Sequence, residues 1–383
     1  PLRDVYKRQP QQLSRHTKTL VVAEHDDGAP ETVLPHFIAG GESGFTCKRQ
    51  GGGHIHDTYG VAAAGQTLYI LQRLNDKVFP DPRLVAENVY LVTSHLDRHC
   101  SRFGKVAPRL ITTGNGKSYH CDDQGGVWRM LSYVDDCHSF DHISDPEYGY
   151  QAGMLLGRFH QAMGGFDVGL LGTALPGFHD LPAYLHEYQL QAAAFRATVP
   201  DRLRVCMEEI EARIDQALEY GRGGAGLKGR MIHGDPKCAN MLFRTDDGTA
   251  AALIDLDTVS PGPVAVDLGD CLRSFCNSAG EGGEEAVAVV FDEEMAERLL
   301  NGYADSGIVL AEAETRSICP ALRFITYELG LRFVTDYLAG NRYFRISHPE
   351  DNLIRASVQF SLLRAIETRH HQLHHMITRI LAP

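Results

Sequence analysis

One stretch of this chain decides its fold, and it reads His233-Gly234-Asp235-Pro236-Lys237-Cys238-Ala239-Asn240. Fifteen residues after Asn240, an apolar run ends in a second carboxylate, Asp255. Phosphoryl transfer from Mg-ATP needs one carboxylate to orient the attacking hydroxyl and further oxygen ligands to hold the metal on the phosphates. The spacing therefore predicts a catalytic loop for phosphoryl transfer, followed by a strand that ends in a metal ligand.

We expect each polar side chain of this segment to have its own role. Asp235 orients the acceptor hydroxyl and accepts its proton, while Asn240 and Asp255 hold Mg²⁺, which prefers hard oxygen ligands. His233 is expected to pack as a scaffold residue, and Asp257 to reach the metal or its waters from an extended segment. The alternative is a polar loop in which Asp and Asn only cap the backbone, and it leaves the Asp255 strand unexplained.

The composition is that of an ordinary globular enzyme. The chain has 383 residues and a formal charge of −12, which argues against a nucleic-acid partner. No run approaches the roughly 20 apolar residues of a membrane span, and no secretory leader opens the chain. The nine cysteines are scattered, which favours reduced thiols. We therefore expect a cytoplasmic location, no membrane attachment, and a monomer or weak dimer.

The predicted fold class is α+β with two lobes. Residues 1–9 look like a translated sequencing adapter and are left out of this reasoning. Residues 10–134 should form a β-rich nucleotide-binding lobe with one main helix, which begins at Asp81-Pro82. Its predicted strands are Phe45–Gln50, Thr58–Ala64, Leu68–Arg73, Arg109–Thr112 and Val127–Val134. Residues 135–383 should form a larger helical lobe that carries catalysis and binds the substrate. Its predicted helices cover residues 151–163, 202–220, 284–304, 320–339 and 350–381.

The nucleotide is expected to contact three parts of the first lobe. Gly52 and Gly53 belong to a glycine turn whose backbone amides can approach phosphate oxygens, although an ordinary hairpin turn has the same composition. Kinase-like folds place a cation of the third strand on the phosphates and tether it to a helix glutamate, and likeness to them implies these roles for Arg73 and Glu87. Two unrelated surface residues are the alternative. The hinge between the lobes is predicted at Ser132-Tyr133-Val134, where backbone groups would meet the adenine edge.

The catalytic segment resembles a known superfamily. Protein kinases use H-R-D-x-x-x-x-N and D-F-G for the same tasks. The variant with Gly in place of Arg, and Leu256-Asp257 in place of Phe-Gly, resembles the aminoglycoside phosphotransferase and choline kinase branch of the kinase-like fold. That resemblance implies a bilobal protein-kinase-like fold. It also implies that Asp267 is the buried anchor that accepts backbone hydrogen bonds from the catalytic loop.

Several segments resemble the N-acetylhexosamine 1-kinase group of that superfamily, and together they span most of residues 45–365. These segments are Gly53-His54-Ile55-His56-Asp57-Thr58-Tyr59, Tyr69-Ile70-Leu71-Gln72-Arg73-Leu74-Asn75, Glu87-Asn88-Val89, Ile254-Asp255-Leu256-Asp257-Thr258 and Leu331-Arg332-Phe333-Val334-Thr335-Asp336-Tyr337-Leu338-Ala339-Gly340-Asn341-Arg342-Tyr343-Phe344. The group commonly shows Gly-His-Ile-Asn-Asp where this chain has His56, so the specificity for the sugar is open at that position.

The resemblance implies transfer of the γ-phosphate of ATP, with Mg²⁺, to the anomeric hydroxyl of a free N-acetylhexosamine such as N-acetylglucosamine or N-acetylgalactosamine. Side chains with suitable chemistry for such a sugar are His56, Asp57, Arg332, Asp336, Tyr337 and Tyr343. Polar residues that merely face solvent are the alternative for this set.

Two other functions stay open. The first is a kinase for another small hydroxyl acceptor, such as choline, an amino alcohol or an aminoglycoside. A cationic acceptor would favour carboxylates and aromatic cages, whereas the mixed Arg, Asp and Tyr set fits a neutral sugar better. The second is a nucleotide-binding module without catalysis, and the presence of both Asp235 and Asp255 disfavours it.

Overall fold

The computed structural model describes residues 30–39, 44–50, 55–224, 229–282 and 288–382. The predicted phosphate-covering glycines, Gly52 and Gly53, lie outside these residues, as does the adapter-like segment 1–9. Within the described ranges, no helix has both the length and the apolar character that crossing a membrane requires.

The first part of the chain is an antiparallel sheet with two helices. The strands, in chain order, are β1 Phe45–Arg49, β2 Asp57–Ala63, β3 Gln66–Arg73, β4 Leu110–Ile111, β5 His120–Cys121 and β6 Val127–Ser132. Their spatial order is β1-β2-β3-β6-β4, and β5 also pairs with β6. Helix α1 covers Pro30–Phe37 and helix α2 covers Pro82–Phe103. The sequence predicted α2 and most of these strands, but not α1 or β5.

The two faces of this sheet have different neighbours. Successive side chains of a strand point to opposite faces. Leu71 and Trp128 are directed to the face that packs on Leu34 of α1. On the other face, Val127 packs on Val85 of α2. The site is built on this second face, so the position of a residue along its strand decides whether it can contribute.

Helices dominate the rest of the chain. They are α3 Pro146–Ala162, α4 Leu181–Ala194, α5 Asp201–Glu211, α6 Ile214–Gly224, α7 Val264–Phe275, α8 Glu293–Asp305, α9 Glu312–Leu338, α10 Asp351–Thr368 and α11 His370–Leu381. Helix α9 is the longest of these at 27 residues and packs against α4, α7 and α10. The predicted helix 350–381 is divided at Arg369 into α10 and α11. Helix α9 starts before the predicted residue 320, because its Pro320 is accommodated inside the helix.

Short strands hold the predicted catalytic segment between them. Strand β8 (Arg230–Ile232) pairs with β11 (Ser260–Gly262). Strand β9 (Met241–Arg244) lies between β10 (Ala250–Leu253) and β7 (Cys137–His138). The catalytic segment connects β8 to β9, and Asp255 follows β10 directly. Both halves of the motif therefore come to the same edge of these small sheets.

Helices α3 and α8 approach so closely that only glycine fits at their contact. A Cβ atom added at Gly153 of α3 would lie 1.9 Å from the carbonyl oxygen of Leu299 in α8. No rotamer change can relieve a contact with a backbone atom, so any larger residue must separate the helices.

We expect Gly153→Ala to lower the free energy of unfolding by roughly 1–3 kcal/mol, as overpacked cores do. Urea denaturation of the purified variant measures the change. Gly282→Ala is the matched control, because a Cβ atom there has nothing within 4 Å. Equal unfolding midpoints for the two variants would contradict the close approach of α3 and α8.

Candidate active site

Asp267, in the first turn of α7, holds the start of the catalytic loop. Its Oδ2 accepts a hydrogen bond from the backbone N–H of His233 at 2.6 Å, and its Oδ1 accepts one from Gly234 at 2.9 Å. The Nε2 of His160, in α3, lies 2.9 Å from Oδ2. Burial by itself would raise the pKa of Asp267, but the hydrogen bonds from His160 and the Gly234 amide hold the pKa below its usual value. The carboxylate therefore stays charged in the core.

The catalytic loop brings three polar side chains together. The Nδ2 of Asn240 donates to the backbone carbonyl of Asp235 at 2.8 Å and to its Oδ2 at 3.0 Å. The ammonium of Lys237 lies 3.0 Å from the same Oδ2. Burial alone would raise the pKa of Asp235, yet Lys237 outweighs it and holds the pKa below its ordinary value. The sequence analysis assigned no role to Lys237.

Asp255 and Asn240 line the same cavity. The backbone N–H of Ile254 donates to the Asn240 carbonyl at 2.9 Å, while the Nε2 of the fully buried His233 contacts the Ile254 carbonyl at 3.0 Å. Asp255 itself is left-handed, with φ of 63°, a conformation that costs energy for a residue with a side chain. Burial and the neighbouring Asp257 raise its pKa. This backbone strain turns the carboxylate into the cavity beside Asn240.

Asp257 joins the two parts of the chain. Arg129 of β6 donates to both of its oxygens, from Nη1 to Oδ1 and from Nη2 to Oδ2 at 3.1 Å. His56 accepts the Asn75 amide at Nδ1, so its Nε2 carries the hydrogen that Asp257 Oδ2 accepts at 2.5 Å. Burial is outweighed by Arg129 and His56, and the pKa of Asp257 is well below its ordinary value. Its oxygens are thus engaged by Arg129 and His56, and the potential metal-ligating atoms of Asp257, Asp255 and His56 lie within 4.8 Å of one another.

Two predicted binding residues lie on the wrong face of the sheet. Arg73 and Asp57 are opposite each other on β3 and β2, and both share the face of Leu71 and Trp128, away from the cavity. The Arg73 Nε is 3.9 Å from Asp122, and Asp57 forms an ion pair with Arg49. The expected roles of Arg73 in phosphate binding and of Asp57 in sugar binding are therefore corrected by the alternation of the strand.

The expected partner of Arg73 is also displaced. Glu87 is exposed on α2, and this helix packs on the opposite face of the sheet. The cavity side of the sheet is instead occupied by Gln72, whose Oε1 accepts from the Nε of Arg129 at 2.9 Å. Gln72 and Arg73 are neighbours on β3 and point to opposite faces of the sheet. Without the register of the strand, the sequence does not show which of the two faces the cavity.

A cavity of about 560 Å³ lies between the sheet and the catalytic loop. The predicted hinge residues Ser132, Tyr133 and Val134 line one end of it, and Asn240 and Asp255 line the other. The amides of Ser132 and Tyr133 donate to the carbonyls of Arg109 and Leu68. His56, which was predicted at the sugar, also lines this cavity, on the side of Asp257.

A smaller pocket of about 140 Å³ lies on the other side of the catalytic loop. Asp235 faces it, together with Arg332 of α9 and Tyr343 from the segment after α9. Lys237 lines both this pocket and the larger cavity. We call it the acceptor pocket, because Asp235 of the loop lines it and Lys237 connects it to the larger cavity.

Four aromatic rings surround the guanidinium of Arg332. The Cζ atom lies 5.3 to 5.6 Å from their centroids, and the rings belong to Phe178, Tyr184, Tyr343 and Phe344. Such cation–π contacts stabilise a desolvated cation. The protein's own arginine therefore fills the aromatic enclosure of this pocket.

Two further residues predicted at the sugar have structural positions instead. Asp336 is buried and accepts the backbone N–H groups of Arg342, Tyr343 and Phe344 at 2.8 to 2.9 Å. It shapes the turn that carries Tyr343 and does not face the acceptor pocket. Tyr337 packs against the core, with its ring 6.3 Å from that of Phe195. Both predictions of sugar contact are corrected, because neither residue lines the acceptor pocket: the turn after α9 engages Asp336, and Tyr337 packs on Phe195.

His179 lines the acceptor pocket and was not found from the sequence. Its Nδ1 lies 2.9 Å from Glu328 Oε1, and its Nε2 lies 3.3 Å from the Gly234 carbonyl. Burial lowers the pKa of a histidine, but Glu328 outweighs it and raises the pKa of His179. Its contacts join residues that are far apart in the chain, so no sequence pattern predicts them.

The site and fold agree with one known family. The model of the phosphotransferase enzyme family matches residues 46–310, and the chain belongs to this family. As a member of this family, the protein is a phosphotransferase.

Solved structures show the same fold at low sequence identity. The aminoglycoside phosphotransferase of Alicyclobacillus acidocaldarius is 16% identical with a TM-score of 0.64, and the match covers 92% of this chain and 98% of that one. The choline kinase of Cryptosporidium parvum is 13% identical with a TM-score of 0.59, covering 92% and 98%. An amicoumacin kinase in complex with AMP-PNP and Ca²⁺ is 15% identical with a TM-score of 0.54, covering 86% and 90%. These likenesses confirm the predicted kinase-like α+β fold.

We expect Asp267→Asn to lower the free energy of unfolding by roughly 1–3 kcal/mol, because one carboxylate oxygen is replaced by a donor that cannot accept the loop amide. Since the folded pKa of Asp267 is depressed, its contribution is fully present above the unfolded value of about 3.9 and is lost as the pH falls through the folded pKa. The difference from the wild type should thus be constant between about pH 5 and 8.

Denaturant titrations at several pH values measure this difference. Asp201→Asn is the control, because that side chain is 96% exposed. A variant of Asp267 that unfolds at the same denaturant concentration as the control would contradict the anchoring role.

Proposed function

We propose that this protein transfers the γ-phosphate of ATP to the anomeric hydroxyl of a free N-acetylhexosamine. The observation that carries the proposal is the composition of the acceptor pocket. The Asp235 carboxylate, whose pKa is lowered, lines this pocket together with several basic side chains, and aromatic rings surround one of them, Arg332. The sheet-rich part, up to Val134, binds the nucleotide in this proposal. The remaining chain performs catalysis and binds the acceptor.

The larger cavity has the groups that ATP requires. Adenine lies at the hinge from Ser132 to Val134, and the phosphates extend toward Asn240 and Asp255. The residues fit Mg²⁺, because the Asn240 amide nitrogen is committed to Asp235 and its oxygen is left for the metal beside the Asp255 carboxylate. When bound, the metal neutralises charge on the phosphates.

Lys237 takes the role that the sequence analysis gave to Arg73. It lines both cavities and touches Asp235, so its ammonium lies where the γ-phosphate passes from nucleotide to acceptor. Burial opposes its charge, yet Asp235 and Glu281 outweigh burial and raise the pKa of Lys237 above its ordinary value. A fixed positive charge at this point stabilises the transferring group.

The charge of the acceptor pocket favours a neutral acceptor over a cationic one. Six of the described side chains that line it are basic: His179, Lys237, Arg273, Arg332, Arg345 and Arg355. Four are acidic: Asp235, Asp270, Glu281 and Glu328. Choline, amino alcohols and aminoglycosides carry positive charge, and like charges repel in a partly desolvated pocket. A quaternary ammonium also needs an aromatic cage, and Arg332 fills the one present.

The anomeric hydroxyl matches the weak base that the site provides. Lys237 holds the pKa of Asp235 below its ordinary value, so a charged carboxylate faces the acceptor pocket. Anomeric hydroxyls are the most acidic hydroxyls of a free sugar, so Asp235 needs only to orient such a group and accept a readily released proton. Arg332 and Tyr343, which line the pocket, belong to the segment that resembles the N-acetylhexosamine 1-kinases.

We expect Lys237→Ala to raise the KM for ATP and to lower kcat by ~10² or more, because a preorganised charge on the transferring phosphate is lost. Arg73→Ala is the comparison, because it removes a cation from the face of the sheet that points away from the larger cavity. Steady-state kinetics with varied ATP measure both. If Arg73→Ala raises the KM for ATP more than Lys237→Ala does, Arg73 and not Lys237 contacts the phosphates, and the role proposed for Lys237 is wrong.

The function itself is tested by identifying the product. A coupled ADP-release screen over free sugars, amino alcohols and aminoglycosides should select N-acetylglucosamine or N-acetylgalactosamine. Phosphorus–proton NMR coupling should then place the new phosphate on carbon 1, and methyl N-acetylglucosaminide should be inert because its anomeric oxygen is blocked. Asp235→Asn controls for contaminating kinases and should be slower by ~10² or more.

Two results would overturn the sugar 1-kinase assignment. One is a phosphate on carbon 6, or efficient turnover of the methyl glycoside. The other is a clear preference for choline, an amino alcohol or an aminoglycoside over every free sugar in the screen. Both leave the kinase fold and the catalytic loop as described.

A further inference from the structure

One buried oxygen in the acceptor pocket has no donor. Glu328 of α9 is 1% exposed, and its Oε1 is held by His179 at 2.9 Å. Its Oε2 has no hydrogen-bond partner within the described part of the chain. An unsatisfied buried acceptor destabilises a protein, more so when it is charged. A ligand that donates a hydrogen bond to Glu328 Oε2 would explain why this unpaired oxygen is present in the wall of the pocket.

Glu328 is also connected to the catalytic loop. His179 has both ring nitrogens beside acceptors, Glu328 Oε1 and the Gly234 carbonyl, and its raised pKa agrees with two N–H donors. Gly234 is the residue before Asp235. A continuous chain of polar contacts therefore runs from the Glu328 carboxylate to the backbone that carries the proposed base.

The position of Glu328 on α9 supports contact with the same ligand that Arg332 contacts. The two residues are four apart on one helix, so they face the same side, and both line the acceptor pocket. Across the pocket, Asp270 of α7 also has a buried oxygen, Oδ2, with no partner among the described residues. Unpaired acceptors on two walls, beside the Arg332 donor, fit a ligand that carries several hydroxyl or N–H groups.

We propose that Glu328 Oε2 accepts a hydrogen bond from a hydroxyl or amide N–H of the acceptor sugar and is a specificity-determining residue of the reaction. This inference rests on the proposed function for the kind of ligand. His179 is a positioning residue, since it holds the other Glu328 oxygen and the catalytic loop at once. The anomeric hydroxyl remains with Asp235, so the group that Glu328 recognises is another one on the same sugar.

Glu328→Gln tests the contact with little change in shape. The variant should lower kcat/KM for the sugar by about tenfold to one-hundredfold, the effect of a lost charge-assisted hydrogen bond, with the KM for ATP almost unchanged. Glu312→Gln is the matched control, because Glu312 is 68% exposed on the same helix. Thermal unfolding verifies that both variants are folded. Glu328→Asp, which keeps the charge but withdraws it, is the second variant if the amide does not fold.

A cycle of substrates and variants separates direct contact from a structural role. Deoxy analogues of the sugar, and the analogue without the acetyl group, are assayed with the wild type and with Glu328→Gln. One analogue should be poor for the wild type and lose little further in the variant, because both changes remove the same hydrogen bond. A strictly structural Glu328 would instead give additive losses for every analogue.

The outcomes also distinguish this inference from the proposed function. If the wild type phosphorylates N-acetylhexosamines and Glu328→Gln behaves like Glu312→Gln, or every analogue is additive, the role of Glu328 is overturned and the function stands. If no N-acetylhexosamine is phosphorylated, the proposed function fails. The same cycle is then run on analogues of whichever acceptor the ADP-release screen selects, and additivity there overturns the role of Glu328.

Discussion

The structure of the site depends on one buried carboxylate, Asp267. It accepts the amides of His233 and Gly234 and the ring of His160, so it connects α7, α3 and the start of the catalytic loop. A charge so deeply buried is tolerable only when hydrogen bonds satisfy its oxygens, which fixes the loop in a single position. Asp235 directly follows the two residues that Asp267 holds, so Asp267 also fixes the position of Asp235.

The two carboxylates after β10 have opposite roles although they are two residues apart. Asp257 is engaged by Arg129 and His56, and thereby joins the sheet to the catalytic part of the chain. The left-handed backbone of Asp255 directs its carboxylate into the cavity, and burial together with the neighbouring Asp257 raises its pKa. The left-handed backbone thus positions the proposed metal ligand, and a bidentate arginine strengthens the contact between Asp257 and the sheet.

The sequence predicted those features whose residues are close along the chain. The loop that contains Asp235 and Asn240, the following Asp255 strand, the order of a β-rich part before a helical part, and helix α2 were all visible from spacing and periodicity. The errors on the two strands have one physical cause. Arg73 and Asp57 were selected on strands whose pleat was unknown, and one residue of register separates the cavity side from the outer side.

By itself, the sequence determined the class of chemistry, because the carboxylates and the amide of the proposed catalytic site lie within one local motif. Only the tertiary structure decided which other side chains meet them. Arg129 reaches Asp257 across 128 positions, and His179 reaches Glu328 across 149. No local pattern encodes such pairs, since their contacts arise when separate helices and strands pack. The charge and shape of the acceptor pocket are therefore properties of the packed fold.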